Sequence, residues 1–187
     1  MTMERRTFIK MAAGAGLLGL VFGVSKGRAS PRLRPPGAED EEMFLAKCAR
    51  CGKCAEVCPL GCIQIAHAED GILSLGTPYM TPLEHPCDLC MKCTEVCSTG
   101  ALKTIPKEEV RMGIAVIDKD LCIARRDDDC QTCYRTCPQY GKAIKLEKLK
   151  YPVIDPDYCT GCGMCEHVCL GNPKAVHVKV REQEAKL

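Results

Sequence analysis

The sequence predicts an α+β fold, rich in loops, in which short hairpins and one- to two-turn helices gather around bound metal rather than around a large apolar core. Three observations lead there. Seventeen of the 187 residues are cysteine. Nearly all of them fall into four runs of one spacing pattern. The chain has no Trp, three Phe and five Tyr, too few aromatics to fill an ordinary interior, and bound metal is the staple that small folds use instead.

The spacing is clearest in Cys159-Thr160-Gly161-Cys162-Gly163-Met164-Cys165-Glu166-His167-Val168-Cys169. It reads C-x2-C-x2-C-x3-C, the run that puts three thiolates on one cubane iron-sulfur cluster and sends the fourth to a neighbouring cluster. Cys48, Cys51, Cys54 and Cys58 repeat it, followed by Pro59, and so do Cys87, Cys90, Cys93 and Cys97. Cys122, Cys130, Cys133 and Cys137 form a stretched copy, with Ile123 to Asp129 in the first gap and Pro138 after it. These sixteen cysteines are the candidate ligands of four 4Fe-4S clusters, and Cys62 is the remainder.

Two other chemistries use many cysteines. Disulfide frameworks impose no repeat on cysteine spacing, whereas a cluster needs thiolates converging from a tight loop. A zinc ribbon takes two separated C-x2-C pairs and gives no reason for a third and fourth cysteine at these distances. The pattern therefore favours iron-sulfur clusters over both.

In chain order, residues 1–30 read as an export signal. Glu4-Arg5-Arg6-Thr7-Phe8-Ile9-Lys10 has the twin-arginine pattern, and the Gly- and Ala-rich apolar run from Met11 to Val24 is short for a spanning helix. Gly27-Arg28-Ala29 supplies the small residues of a cleavage site; an uncleaved membrane anchor is the other reading. Twin-arginine export carries folded proteins, so clusters loaded in the reducing cytoplasm survive the passage. Residues 31–42, with three prolines and a glycine, read as an extended linker.

From Met43 the motifs recur about every 35 to 39 residues, the period of tandem copies of one small unit. The short apolar runs Ile63 to Ile65, Ile72 to Leu75, Leu102 to Ile105, Ile114 to Ile117, Ala143 to Leu146 and Val176 to Val180 are of strand length and suggest hairpins. One or two helical turns should follow each loop, with the third and fourth cysteines at i and i+4 on one face. The whole divides into two tandem units of the bacterial two-cluster ferredoxin type, residues 43–108 and 109–187. Consecutive pairing of motifs is preferred. The nested alternative makes Ala101 to Asp118 a hairpin joining motifs two and three and pairs motif one with motif four.

The chain resembles the NapG/MauM family of ferredoxin-type proteins. The likeness runs from the twin-arginine pattern through Arg32-Leu33-Arg34-Pro35-Pro36-Gly37-Ala38, Gly76-Thr77-Pro78-Tyr79, Arg111-Met112-Gly113 and the stretched third motif to Cys159–Cys169. Ser98 and Leu170 depart from it, standing where proline often follows the fourth cysteine. The resemblance implies a periplasmic electron carrier, working between a membrane-bound quinol dehydrogenase polyferredoxin of the NapH type and a downstream periplasmic reductase or cytochrome. Periplasmic nitrate reductase and methylamine systems are the terminal systems it suggests. An iron-sulfur subunit bound permanently to a molybdenum oxidoreductase is the nearest rival; a zinc or disulfide interaction module is the rival from another class.

Catalytic residues are not expected. A cubane ligated by four thiolates has no open position for substrate, and no nucleophile-base pair or phosphate loop accompanies the motifs. Among the histidines, His167 lies inside motif four and reads as an exposed bystander. Amides of Gly52, Gly161 and Gly163 are the candidates for N–H bonds to sulfur. Cys62 reads as a buried thiol outside the ligand set. The full chain carries 26 basic and 24 acidic residues, a formal charge of +2, and residues 1–30 hold five of the basic and one of the acidic. The remainder is thus at −2, and four oxidised clusters at about −2 each bring it to about −10. Nucleic acid is excluded as a partner by that charge, and cationic docking surfaces are favoured.

Overall fold

The computed structural model describes residues 32–126 and 128–181. The expected export signal, residues 1–30, lies outside the described residues. Among these residues the elements follow as α1 (Glu41–Lys47), α2 (Lys53–Glu56), β1 (Ile63–Ile65), β2 (Pro78–Met80), α3 (Lys92–Glu95), β3 (Ile114–Ile117), α4 (Thr132–Thr136), β4 (Ile144–Glu147), β5 (Tyr151–Ile154), α5 (Met164–His167) and β6 (Val176–Lys179). The strands pair two by two, all antiparallel: β1 with β2, β3 with β6, β4 with β5. Small helices and short antiparallel pairs between long loops are the α+β, loop-rich architecture read from the sequence. None of the helices among the described residues is long and apolar enough to cross a membrane.

Four of the six expected strands form at or within a residue or two of their expected places, as β1, β3, β4 and β6. The pair β3–β6 brings the segment before motif three against the segment after motif four, from Ile114 opposite Lys179 to Ile117 opposite Val176. Ile72 to Leu75 is not a strand. Asp70 accepts from the His67 N–H at 2.8 Å, Gly71 takes φ +101°, and the chain reverses in successive turns that leave Ile72 86% exposed. The partner of β1 is instead β2, which begins on Pro78, a position where a strand needs no N–H.

Residues 31–42 are not a free linker. Leu33, Arg34, Pro35 and Pro36 are buried, Leu33 O accepts from Met80 N at 2.8 Å, and Gly37 O accepts from Lys103 N at 2.9 Å. Ala38 bridges Leu102, so the expected strand at Leu102 to Ile105 finds only this single bridge as a partner. Gly37 is indispensable there, since a Cβ would overlap the Lys103 carbonyl. Asp40 then caps α1 by accepting from Met43 N at 2.9 Å, with Glu41 and Glu42 in the first turn and Lys47 in the last. The helix buries Phe44, 1% exposed, a contribution of about 2 kcal/mol. Lys103 and Lys47 both bond the Glu39 carboxylate and hold its pKa down to about 2.

Arg34 is the hub of this strap. It is 5% exposed. Its guanidinium pairs with the Glu41 carboxylate through two N–H groups, the Nε–Oε2 arm at 2.8 Å. It also donates to Thr77 Oγ1 at 2.9 Å and Pro78 O at 2.7 Å and lies 4.7 Å from the Phe44 ring centroid. Arg34→Ala strands the buried acceptors and is expected to cost about 3 kcal/mol, read as a lower unfolding midpoint. Arg34→Lys recovers less than half of that, because an ammonium cannot reproduce the two-pronged pairing.

Beside a small third one of Cys122, Ala124 and Ala175, two buried clusters carry the packing. One joins Leu33, Phe44, Ile63, Met80, Leu89, Leu102 and Val110 with Cys54, Cys62, Cys87, Cys93 and Cys162. The other joins Ile114, Ala143, Ile144 and Val176 with Cys133, Cys159 and Cys165. Cysteine sulfur is thus a large part of the interior in both. The halves meet closely: Cys87 N donates to Cys162 O at 2.8 Å and His167 Nδ1 to Leu83 O at 3.1 Å.

Candidate cluster sites

Three of the four loops that carry the thiols share one backbone device, which motif three lacks, Gln131 after its second cysteine having φ −124°. In motif one the residues on either side of the second cysteine, Arg50 and Gly52, have φ of +55° and +75°; in motif two Leu89 and Met91 have +58° and +65°; in motif four Gly161 and Gly163 have +74° and +80°. Two left-handed residues around the middle cysteine curl C-x2-C-x2-C so that its thiols face inward. Glycine does this without strain, whereas Leu89 and Met91 carry a cost of about 1 kcal/mol or more each, offset by their burial. A four- or five-residue helix follows in each case and stops short of the fourth cysteine, so the expected i, i+4 helical face is shorter than the sequence suggests. After α2, for example, Cys58 is reached through a turn in which its N–H bonds Ala55 O at 3.3 Å.

The thiols then assemble across motifs. One cavity is lined by Cys48, Cys51, Cys54 and Cys97. A second is lined by Cys137, Cys159, Cys162 and Cys165, and a third by Cys122, Cys130, Cys133 and Cys169. In each, three thiols come from one motif and the fourth from another. The remaining four, Cys58, Cys87, Cys90 and Cys93, lie together in the first half, where Cys87, Cys90 and Cys58 all bear on the Cys93 thiol. Ala101 to Asp118 is not a hairpin: Leu102 bridges back to Ala38 and Ile114–Ile117 pairs with β6.

The four sets stand in a row. Cys93 is near Cys54, so the first two sets adjoin. The Cys87 N–H bond to Cys162 O, 2.8 Å, joins the second to the third. Cys165 lies near Cys133, which joins the third to the fourth.

Donor chemistry fits iron-sulfur clusters. Each set offers four thiols and one sulfur that accepts a backbone N–H: Leu102 to Cys97 at 3.3 Å, Leu89 to Cys87 at 3.4 Å, Ala115 to Cys159 at 3.5 Å and Ala175 to Cys169 at 3.4 Å. Such bonds stabilise a charged sulfur. The glycine amides expected in this role are not among the described donors to sulfur. Leu102 and Ala175 follow a return of the chain five or six residues after the fourth cysteine, Ala115 comes from β3 and Leu89 from the loop of motif two itself, and no residue type marks them in the sequence. Among the described residues no group of three His, Cys, Asp or Glu side chains converges as a lone metal ion requires.

Burial raises most of the shifted thiols. It pushes Cys54 and Cys137 up to about 11 and Cys93 and Cys133 up to about 12. Binding must therefore displace protons, and Cys97 and Cys87 are the two shifted thiols that make this easier. Burial pushes Cys97 up, but N–H groups of Leu102 and Thr99 and the Thr99 hydroxyl bring it below the usual thiol value. Cys62 is 2% exposed with its sulfur 3.3 Å from that of Cys58. A hydrogen bond between Cys62 and Cys87 raises Cys62 and lowers Cys87. His167 is exposed and bonds Leu83 O rather than any sulfur.

Comparison with known proteins agrees with this chemistry. The profile of a 4Fe-4S dicluster domain matches residues 128–172, and that of a 4Fe-4S binding domain matches residues 45–64. The chain is 38% identical over 191 residues to the ferredoxin-type protein NapG of Escherichia coli (strain K12), covering 92% of this chain and 82% of that protein. It is 36% identical over 199 residues to the methylamine utilization ferredoxin-type protein MauM of Methylobacillus flagellatus, covering 96% and 85%. With the MauM protein of Paracoccus denitrificans the identity is 40% over 162 residues, 80% and 72% of the two chains. Similarity of this extent along nearly the whole length, on a fold whose interior is lined with thiols, shows that the chain belongs to the NapG/MauM family of ferredoxin-type iron-sulfur electron-transfer proteins.

Proposed function

We propose that the chain is a periplasmic electron carrier holding four 4Fe-4S clusters in two tandem two-cluster units, motifs one and two forming the first and motifs three and four the second. The single observation that carries the reading is the gathering of thiols in fours around three cavities, each completed by the fourth cysteine of another motif, which leaves Cys58, Cys87, Cys90 and Cys93 as the fourth set. Cys48, Cys51, Cys54 and Cys97 would hold one cluster; Cys58, Cys87, Cys90 and Cys93 the next; Cys137, Cys159, Cys162 and Cys165 a third; and Cys122, Cys130, Cys133 and Cys169 the last. Bound clusters supply one-electron redox chemistry without an open coordination position, which makes the chain a carrier and not a catalyst. The protein's own residues exclude water around the buried thiols, aim N–H groups at sulfur and keep the sets in sequence along the row.

The direction of transfer, from a membrane quinol-oxidising polyferredoxin to a periplasmic reductase or cytochrome, rests on the family resemblance. Export by the twin-arginine route rests on Glu4 to Lys10 and the apolar run behind it. Anaerobic purification with iron and sulfide analysis tests the reading: about sixteen iron atoms per chain and a brown colour are expected, from four iron atoms per cluster. A colourless protein with zinc or disulfides in place of iron would sink it.

A further inference from the structure

Cys62 is the one cysteine that the four sets leave over, and its position is built rather than incidental. After Cys58 the chain turns back, Gly61 N bonding Cys58 O at 3.2 Å with Gly61 at φ +61°. Cys62 then leads directly into β1, and its carbonyl accepts from Thr81 N at 3.3 Å. Both ends of the turn are thus fixed. The side chain is 2% exposed and its sulfur lies 3.3 Å from Cys58 Sγ, far beyond the roughly 2.05 Å of a disulfide and within reach of a sulfur hydrogen bond.

Which sulfur donates follows from ligation. A thiolate bound to iron has no proton, so the hydrogen between these two atoms belongs to Cys62. The other three motifs place no thiol at the equivalent position, although the Thr99 hydroxyl lies 3.6 Å from Cys97 Sγ. Four residues beyond Cys97, Cys137 and Cys169 stand Ala101, Gly141 and Pro173, none with a side-chain donor. One set of the four is therefore singled out.

We propose that Cys62 is a positioning residue whose S–H group donates to a ligating thiolate beside it, Cys58 or Cys87, and sets the reduction potential of the site formed by Cys58, Cys87, Cys90 and Cys93 above the value it would otherwise have. The inference rests on the four-cluster reading. A donor to a ligating sulfur offsets negative charge, and the reduced cluster has more of it, so the bond favours reduction. The site concerned is interior to the row and bonded through Cys87 to the second half. Raising its potential makes the junction between the halves a preferred resting place for the electron.

The test is an anaerobic redox titration of the full exported chain, followed by electron paramagnetic resonance, for wild type, Cys62→Ala and Cys62→Ser. All three are expected to hold the same iron. Cys62→Ala lowers one midpoint potential by an amount equal to about tenfold in the reduction equilibrium, or about 59 mV for a one-electron couple, and leaves the others in place. Cys62→Ser, whose hydroxyl donates in the same position, restores it. Loss of about four iron atoms in either variant would make Cys62 a ligand and overturn the proposal. Unchanged potentials in Cys62→Ala, with iron intact, would make it a spectator and overturn the proposal too. Wild type without iron defeats the four-cluster reading itself, a result that the variants cannot imitate.

Discussion

Cys97→Ala is expected to empty the site of motif one rather than that of its own motif. Cys97 lines the cavity of Cys48, Cys51 and Cys54, while the cysteines that precede it in sequence, Cys87, Cys90 and Cys93, gather with Cys58. Anaerobic iron analysis should fall by about a quarter of the roughly sixteen atoms, and one of four resonance signals should vanish. Double variants identify which. Cys97→Ala with Cys51→Ala removes nothing further, because both belong to one site, whereas Cys97→Ala with Cys90→Ala removes a second cluster and about eight iron atoms in all. If the pair Cys97 and Cys90 were to cost only one cluster, the exchange of fourth cysteines between motifs would be wrong.

Gly161→Ala should be among the most damaging single methyl groups in the described residues, in the company of Gly37→Ala. A Cβ there would stand 2.3 Å from Gly113 N and 2.7 Å from its Cα and O, all backbone atoms, at a φ of +74°. Left-handed strain of about 1 to 2 kcal/mol adds to overpacking of similar size, about 3 kcal/mol together. That corresponds to a drop of about 6 to 12 °C in the unfolding midpoint for a chain of this length. Gly141→Ala is the matched control, with φ +77° and nothing within 4 Å of the added Cβ. It should lose only the strain, about 2 to 8 °C. Equal midpoints for the two variants would show that the loop of motif four does not press on Gly113.

Much of this was legible in the sequence, for a physical reason. Cluster ligation fixes cysteine spacing, so the loops and the short helices behind them could be placed from spacing alone, and Ile114–Ile117, a short apolar run, and Val176–Lys179, which alternates, could be read as strands. What escaped is tertiary. The prolines and arginines of residues 31–42 have the composition of a solvated linker, and only the acceptors waiting at Glu41, Thr77 and Pro78 turn Arg34 into a buried hub. Leu89 and Met91 carry no mark of left-handed backbone, because their side chains are chosen for the core that they fill. The partner of each fourth cysteine could not be settled, since spacing is the same for consecutive and nested arrangements.

The exchange of fourth sulfurs between loops has a bearing on how the protein is made. Neither member of a coupled pair of sites is complete until both loops have closed, so an assembly factor that fills one pocket leaves it a ligand short while the other loop stays open. Filling is then interlocked, and a molecule with one loop still open keeps a site that is one thiol short.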